Sequence, residues 1–217
     1  MVPRPKSPDG YRKIMRIGPK YKIARRLGAP VFEKTQTQKF TLSQQRKDKG
    51  RKKFSRASSE FGSQLLEKQK ARFTYCLTER QFSKYARQAL AKKDTNAVSR
   101  MFSYLETRLD NVVCKIGFAP TRLAARQMVS HGHILVNGKR VTIPSINLVV
   151  GDVVSIRVAS AGKPLFADLN SRLSEVEKPS WIKVDMKADT ATIESLPKVE
   201  GVNLMFDLRS ILEFYSR

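Results

Sequence analysis

The sequence predicts an α+β protein, in which a helical N-terminal domain is joined to a small domain of two helices packed on a short antiparallel sheet. Helical periodicity of apolar residues begins near Phe61, strand-like alternation is confined to a later stretch, and Asn137-Gly138 is typical of a two-residue hairpin turn. With 41% apolar against 28% charged residues, a chain of 217 residues is able to bury such cores. The predicted regions are a basic N-terminal arm (1–60), a helical domain (61–95, completed by 161–217) and the small α/β domain (96–160).

Positive charge dominates the first three-quarters of the chain. The 42 Lys and Arg residues against 19 Asp and Glu give a net charge of +23, of which residues 1–60 carry +14 and residues 161–217 carry −1. So large a charge repels itself unless an anionic partner neutralises it, and nucleic acid is the commonest such partner, with an anionic membrane surface as the alternative. No apolar run approaches the ~20 residues of a membrane span, and the N-terminus lacks a secretory apolar segment. We therefore expect nucleic acid, and no membrane, as the partner of the basic regions.

Residues 1–60 are predicted to form a basic arm, because apolar periodicity is poor there and Gly, Pro, Ser, Thr and Gln are frequent. The run Arg46–Arg56 is too highly charged to pack by itself and is expected to become ordered on a partner. Apolar residues such as Tyr21, Ile23 and Leu27 offer points at which the arm docks on a folded body.

Three helices are predicted between residues 61 and 116. The first carries Leu66, Phe73 and Leu77 near multiples of the helical turn. Thr78–Gln81 has the form of a capping box and opens the second helix. One side of that helix carries Arg80, Lys84 and Arg87. The third is predicted as a single helix that ends at Gly117. Its buried face comprises Val98, Met101, Phe102, Leu105, Leu109, Val112, Val113 and Ile116.

The stretch from Thr121 to Val141 combines a short helix with the hairpin. Thr121 is a predicted N-cap and Gly132 a predicted stop, while Arg122 and Arg126 lie together at the edge of the apolar arc of the helix. After the hairpin a further strand is predicted, with one face made of Val154, Ile156 and Val158.

The C-terminal segment is nearly neutral, so we expect it to complete the helical domain rather than bind a charged partner. Pro179–Asp185 is predicted to be a strand carrying the only Trp, and the apolar run Leu204–Arg217 must be buried. Cys76 and Cys114 lie in apolar helical patterns, which favours small core residues in a reducing compartment over a disulfide or a metal site.

Basic residues on small, well-packed elements predict a contact with RNA phosphates. Guanidinium groups bind phosphate in bidentate fashion and stack on bases, and short polar side chains reach a 2′-hydroxyl or a base edge. The alternative is a solvated basic face with a satisfied histidine. We expect Arg122→Ala with Arg126→Ala to weaken RNA binding without unfolding the chain. The predicted cluster is Arg122, Arg126, His131, His133, Asn137, Lys139 and Arg140.

Other chemistries are not favoured. Neither common glycine-rich phosphate loop is present, and His131 and His133 lack nearby ligands, so no metal, cofactor or small-molecule substrate is predicted. Thr107–Val113 contains Arg-Leu-Asp, which resembles the catalytic motif of RNA pseudouridine synthases. Because Asp110 lies within a helix of the small domain, we expect it to form a structural ion pair with Arg108 or a neighbour. A uridine-modifying enzyme that uses Asp110 is the alternative function.

Five stretches carry a resemblance to a known family. They are IGPKYKIARRLG (17–28), EFGSQLLEKQKARFTYCLTERQF (60–82), LETRLDNVVCKIGFAPTRLAARQMVSHGHILVNGKRVTIPS (105–145), GDVVSIR (151–157) and EKPSWIKVD (177–185). In this order they resemble small-subunit ribosomal protein number four, in its bacterial and organellar form. The resemblance implies the αL-like RNA-binding fold for the helix and hairpin of the central stretch.

The resemblance further implies a non-enzymatic structural constituent of the small ribosomal subunit. Its members are primary binders of small-subunit rRNA that nucleate 5′-domain assembly. They lie near the channel by which mRNA enters, beside ribosomal protein number five, and contribute to translational accuracy. The implied location is the cytoplasmic ribosome, or an organelle matrix if the source is organellar. Some members bind a metal through N-terminal cysteines, but this chain has none before Cys76, so no metal is expected.

Family motif positions for RNA binding map onto residues of this chain. The matching positions are Lys20, Lys22, Arg25, Arg26, Lys68, Lys70, Arg72, Arg122, Arg126, His131, Asn137 and Lys139. Approximate candidates for the mRNA channel are Arg51, Lys52, Lys53 and Arg56.

Overall fold

The computed structural model describes residues 17–50, 59–91, 96–186 and 188–217. The helices in these ranges are α1 Lys20–Leu27, α2 Gln38–Gly50, α3 Glu60–Thr74, α4 Glu79–Ala91, α5 Ala97–Glu106, α6 Leu109–Ile116, α7 Arg122–Ser130, α8 Val158–Ala161, α9 Leu169–Glu175 and α10 Leu208–Ser216. The strands are β1 Ile134–Val136, β2 Lys139–Arg140, β3 Val153–Ile156, β4 Ile182–Asp185 and β5 Thr190–Ile193, and short 3-10 turns lie at Glu33–Thr35 and Pro164–Phe166. The predicted α+β class is confirmed.

Part of the predicted basic arm is folded. Leu27 of α1 is buried with Phe32 and Phe40, and Ile23 packs against this cluster. The Phe32 ring lies 5.9 Å from that of Phe73 in α3, which ties the cluster to the helices that follow. The predicted docking is therefore confirmed for Ile23 and Leu27, whereas Tyr21 is 48% exposed and lies with its ring 5.6 Å from that of Phe40.

The helical part is built from α3, α4, α5 and α10. Phe82 and Phe102 are buried together with Ile211 of α10, which packs along α3. The predicted capping box is present, because the Gln81 backbone N–H donates to Thr78 Oγ1 at 3.4 Å and the Thr78 backbone N–H donates to Gln81 Oε1 at 3.5 Å.

The single helix predicted from residue 98 to 116 is wrong, since the chain forms α5 and α6 with a break at Thr107 and Arg108. Arg108 is extended, with φ −60° and ψ 136°. The Leu109 backbone N–H donates to the Ile146 carbonyl at 2.8 Å, and the Leu148 N–H donates to the Thr107 carbonyl at 2.8 Å. These bonds to a distant loop replace the bonds that a continuous helix would make, although the apolar periodicity continues through the break.

The sheet part packs α6 and α7 against an antiparallel sheet of strand order β2-β1-β3-β5-β4. Asn137 and Gly138 have φ of 51° and 73°, which confirms the predicted hairpin turn. In β3, Val154 and Ile156 are buried as predicted, but Val158 is 88% exposed. The strand ends at Ile156, and Val158 begins α8 instead of continuing the buried face.

The C-terminal segment is divided between the two parts, which differs from the predicted regions. The predicted strand is present as β4, but it begins at Ile182, one residue after Trp181, and β4 and β5 extend the sheet beyond β3 rather than completing the helices. Phe206 and α10 join the helical part, while α5, predicted to belong to the small domain, shares the core of α4. The division falls at residue 107 rather than 96, because α5 buries Phe102 and Leu105 against α4 and α10. No helix in the described ranges is long and apolar enough to cross a membrane.

Candidate nucleic-acid interface

Helix α7 forms as the sequence predicts. Thr121 Oγ1 accepts a hydrogen bond from the Ala124 backbone N–H at 3.1 Å, which caps the first turn. Ala125 and Val129 are fully buried in the core. Gly132 follows the helix with φ +72°, a left-handed conformation that favours glycine.

Arg126 of α7 is buried inside the protein, with 9% of its surface exposed. Its Nε and Nη2 both donate to Asp110 Oδ2, at 2.9 and 2.7 Å, and its Nη1 donates to the carbonyl of Cys76 at 2.6 Å. The expectation that Arg126 lies on an exposed rim and faces RNA is therefore wrong. The Asp110 carboxylate in α6 and the Cys76 carbonyl just after α3 accept the hydrogen bonds of this guanidinium. The local sequence around Arg126 indicates neither partner.

Asp110 also binds Arg108, whose Nε and Nη2 donate to its two carboxylate oxygens at 2.9 and 2.7 Å. The third Arg108 nitrogen, Nη1, donates to Tyr85 Oη in α4 at 2.6 Å. Burial lowers the pKa of Arg108, but the charge and hydrogen bonds of Asp110 outweigh it and hold that pKa above its ordinary value. The predicted structural ion pair of Asp110 is confirmed, and it joins α4, α6 and α7.

Arg122 is half-buried and also binds within the protein. Its Nε donates to Asn111 Oδ1 at 2.8 Å, and its guanidinium lies 5.3 Å from the Tyr75 ring centre. Tyr75 Oη in turn donates to the buried Glu106 carboxylate at 2.6 Å, and burial followed by that carboxylate raises the pKa of Tyr75 well above its ordinary value. The exposed position expected for Arg122 is thus not found. We call the group Tyr75, Tyr85, Glu106, Arg108, Asp110, Asn111, Arg122 and Arg126 the junction network.

The cations of α3 are likewise taken up by protein partners. Lys68 is 7% exposed, pairs with Glu79 at 2.9 Å, and lies 4.4 Å from the Phe214 ring centre of α10. Lys70 pairs with Glu67 at 2.6 Å, and Arg72 Nε lies 3.8 Å from Glu79. The prediction that Lys68 contacts RNA conflicts with its burial, because packing of α10 covers this face of α3.

Other predicted cations remain open. Lys20 is half-buried beside Phe32, while the rest of this set is exposed, and no carboxylate of a described residue lies within ion-pair distance of any member. The exposed members are Lys22, Arg25 and Arg26 on α1, Arg80, Lys84 and Arg87 on α4, and Lys139 and Arg140 in the hairpin. Arg51, Lys52, Lys53 and Arg56 lie outside the described residues.

The hairpin holds its polar groups in fixed positions. The Asn137 side chain donates to Asp152 Oδ1 at 2.8 Å and accepts from the Val153 N–H at 2.9 Å, so this amide braces the turn against β3. Arg140 lies across Gly132, where an added Cβ would come within 2.0 Å of Arg140 Nε. Arg140 Nη2 donates to the carbonyl of the exposed His131 at 3.3 Å.

Sequence reasoning missed two cations beside His133, namely Arg157 and Lys163. The Arg157 backbone N–H donates to the His133 carbonyl at 2.9 Å, and both cations are exposed. Partial burial, then the charges of Lys163, His131, Arg157 and Arg140, lower the pKa of His133. The antiparallel register of β1 with β3 indicates the position of Arg157. Because Ile134 pairs with Ile156, His133 and Arg157 lie opposite each other. Among the described residues no group of three or more His, Cys, Asp or Glu is placed to hold a metal ion.

Comparison with known proteins connects this arrangement to a family. A family model for the "Ribosomal protein S4/S9 N-terminal domain" matches residues 15–106, and one for the "S4 domain" matches residues 107–154, so the two meet at the break between α5 and α6. The chain is similar to small ribosomal subunit protein uS4 of Chloroflexus aurantiacus, at 38% identity over 93% of this chain and 98% of that protein. It is also similar to the proteins of the same name from Heliobacterium modesticaldum (38%, over 92% and 98%) and Amoebophilus asiaticus (40%, over 93% and 98%). With its helical part, its sheet part and nearly its whole length matched, the chain belongs to the uS4 family of small ribosomal subunit proteins.

Proposed function

We propose that the chain binds small-subunit rRNA as a structural component of the small ribosomal subunit, and that it binds early enough to nucleate assembly of the 5′ domain. Family membership supports the assignment to the subunit. The observation that carries RNA binding is the set of exposed cations on α1, α4 and the hairpin that have no carboxylate partner among the described residues. Such cations exchange water and small ions for phosphates, which favours binding through counterion release.

The geometry of α4 suits a phosphate backbone. Arg80, Lys84 and Arg87 are spaced by four and three residues, which places them along one face at intervals of roughly 5–6 Å. The opposite face of α4, with Phe82 and Tyr85, is buried, so the cations have a fixed base. The junction network joins α4 to α6 and α7, and a preformed surface of this kind loses little conformational freedom on binding RNA.

The position within the subunit is part of the same proposal. We place the chain near the channel by which mRNA enters, beside ribosomal protein number five, with a contribution to translational accuracy. Arg51, Lys52, Lys53 and Arg56 are the candidates for contact with mRNA. Replacing these four residues with Gln, followed by measurement of misreading by purified ribosomes, tests this role. Unchanged accuracy in subunits that contain the variant would refute it.

The alternative of a uridine-modifying enzyme conflicts with the environment of Asp110. This carboxylate is 2% exposed; its Oδ1 accepts a hydrogen bond from Arg108, and its Oδ2 accepts from both Arg108 and Arg126. A base in RNA has no access to it in this conformation. Appearance of modified uridine on incubation with rRNA, abolished by Asp110→Ala in a folded protein, would restore the enzymatic function.

Salt dependence of rRNA binding tests the main proposal. If the chain neutralises about eight phosphates, the slope of log affinity against log salt is about −6 to −7. A slope near zero on 5′-domain rRNA would contradict an electrostatic interface. Presence of the protein in small subunits purified at low salt is the matching result in the assembled particle.

A further inference from the structure

The segment Arg157–Phe166, which we call the elbow, exposes apolar and cationic side chains together. It comprises α8 and the 3-10 turn at Pro164–Phe166. Val158 is 88% exposed, and Leu165 is 42% exposed. Arg157 and Lys163 on the same segment are exposed as well. One segment of ten residues therefore exposes both aliphatic and cationic side chains to solvent.

The elbow is held firmly against the sheet. The Arg157 N–H donates to the His133 carbonyl at 2.9 Å, and His133 Nδ1 lies 2.9 Å from Oγ of Ser160, which is 2% exposed. Phe166 is buried at the end of the segment, with its ring 6.3 Å from that of His133. The exposed side chains are therefore carried by a fixed support.

Cationic side chains of the elbow and of the hairpin lie near His133. His131 and Arg140 approach His133 from α7 and the hairpin, while Arg157 and Lys163 approach it from the elbow. In the described part of the chain, no carboxylate lies within ion-pair distance of Arg140, Arg157 or Lys163. The elbow consequently attracts an anion and carries exposed apolar side chains on the same segment.

We propose that the elbow binds one unpaired nucleotide of rRNA, with its phosphate between Arg157 and Lys163 and its sugar or base face against Val158 and Leu165. This inference rests on the proposed function and specifies one of its contacts. Unstacked nucleotides present an apolar face next to a phosphate, which is the combination that the elbow complements. The elbow lies beyond residues 107–154, where the family model matches the sheet part.

Two pairs of variants separate the apolar contact from the charged one. Val158→Ser with Leu165→Ser is expected to reduce affinity for 5′-domain rRNA about 5- to 30-fold with an unchanged salt slope, because no charge is removed. Arg157→Gln with Lys163→Gln is expected to weaken binding and to reduce the magnitude of the salt slope by about 0.7, because the two cations share one single-stranded phosphate. The matched control is Lys183→Gln with Lys198→Gln, two exposed cations, of which Lys183 lies on the far edge strand β4.

Thermal unfolding of every variant accompanies the binding measurement. Val158 is so exposed that Val158→Ser alone serves as a second variant that folds if the double variant does not. Elbow variants that bind as tightly as the parent protein, while Arg80, Lys84 and Arg87 variants bind weakly, would overturn the elbow site and leave the proposed function standing. Loss of attachment to a protein component of the subunit, with RNA affinity unchanged, would also overturn it. Failure of the parent protein to bind rRNA would remove both proposals.

Discussion

Arg126 and Arg140 lie in the same short stretch of sequence but occupy opposite environments. Arg126 is buried and makes bonds to Asp110 and to the Cys76 carbonyl, whereas Arg140 is exposed and bonds only to the carbonyl of His131 among the described residues. From the sequence, both arginines are predicted to belong to one RNA-binding cluster. The difference shows that the role of an arginine is decided by which carboxylates and carbonyls the fold brings to it.

The two environments depend on each other. The buried arginines join α4, α6 and α7, and the exposed cations of α4 and of the hairpin lie on elements of that joined body. A charged surface keeps its spacing only if its supports are fixed. The junction network is therefore expected to affect RNA binding indirectly, through the relative placement of the helical and sheet parts.

The largest effect is expected from Asp110→Ala, which leaves Arg108 and Arg126 buried without their carboxylate. Breaking a buried ion pair by removal of one partner costs about 3–5 kcal/mol, so the free energy of unfolding should fall by that amount. Urea denaturation followed by circular dichroism measures it. The matched control is Glu177→Ala, an exposed carboxylate, which should change stability by less than ~0.5 kcal/mol. Equal stability of the two variants would contradict the structural role of the network.

A smaller loss is expected from Gly132→Ala. Its φ of +72° disfavours a Cβ by about 1–2 kcal/mol, and the new Cβ would come within 2.0 Å of Arg140 Nε and displace that side chain. Gly162→Ala is the control, because Gly162 has φ −75° and no atom of a described residue lies within 4 Å of its Cβ position. A difference of at least 1 kcal/mol between the two variants is the expected urea result; no difference would exclude the close approach of Arg140.

A pH-dependent effect is expected at Glu79. Burial raises the pKa of this carboxyl, but hydrogen bonds from Tyr215 and Lys68 outweigh it and hold the pKa below its ordinary value. A lowered folded-state pKa contributes stability that is present above the ordinary pKa of about 4.3 and is lost as pH falls through the folded value. The melting temperature of Glu79→Gln should thus lie below that of the parent protein at pH 6 and converge with it towards pH 3. A constant difference across this range would rule out the pairing.

The smallest effect on stability, and a clear one on binding, is expected from Arg80→Gln, Lys84→Gln and Arg87→Gln together. These exposed side chains make no ion pairs among the described residues, so stability should change by less than ~0.5 kcal/mol per site. The salt slope of rRNA binding should decrease by about 2–3 if each contacts one phosphate. Lys183→Gln, Lys198→Gln and Arg209→Gln, which remove the same charge from exposed C-terminal positions, form the control. Equal slopes for both triple variants would mean that α4 does not face RNA.

Local features of this fold were predictable where their causes lie within a few residues. Thr121 and Gly132 bound α7, and Asn137-Gly138 makes the turn, because caps and turns depend on neighbouring backbone groups. The break at Thr107 and Arg108 has its cause in residues 144–148, which no local pattern indicates. For Arg126 the missing information was likewise remote, since the carbonyl of Cys76 reaches it only after α3 and α7 have packed.

The placement of α10 has a consequence for folding during synthesis. Ile211 and Leu212 close a core whose other walls, α3 to α5, precede the entire sheet part in the chain. Domains fold as their sequences emerge, starting from the N-terminal side. Here α3 to α5 are synthesised before the sheet part, and α10 is synthesised after it. The core of the helical part therefore lacks the side chains of α10 until the sheet part has been synthesised. The sheet part is thus inserted in the sequence of the helical part, and we expect it to fold before the helical part is complete.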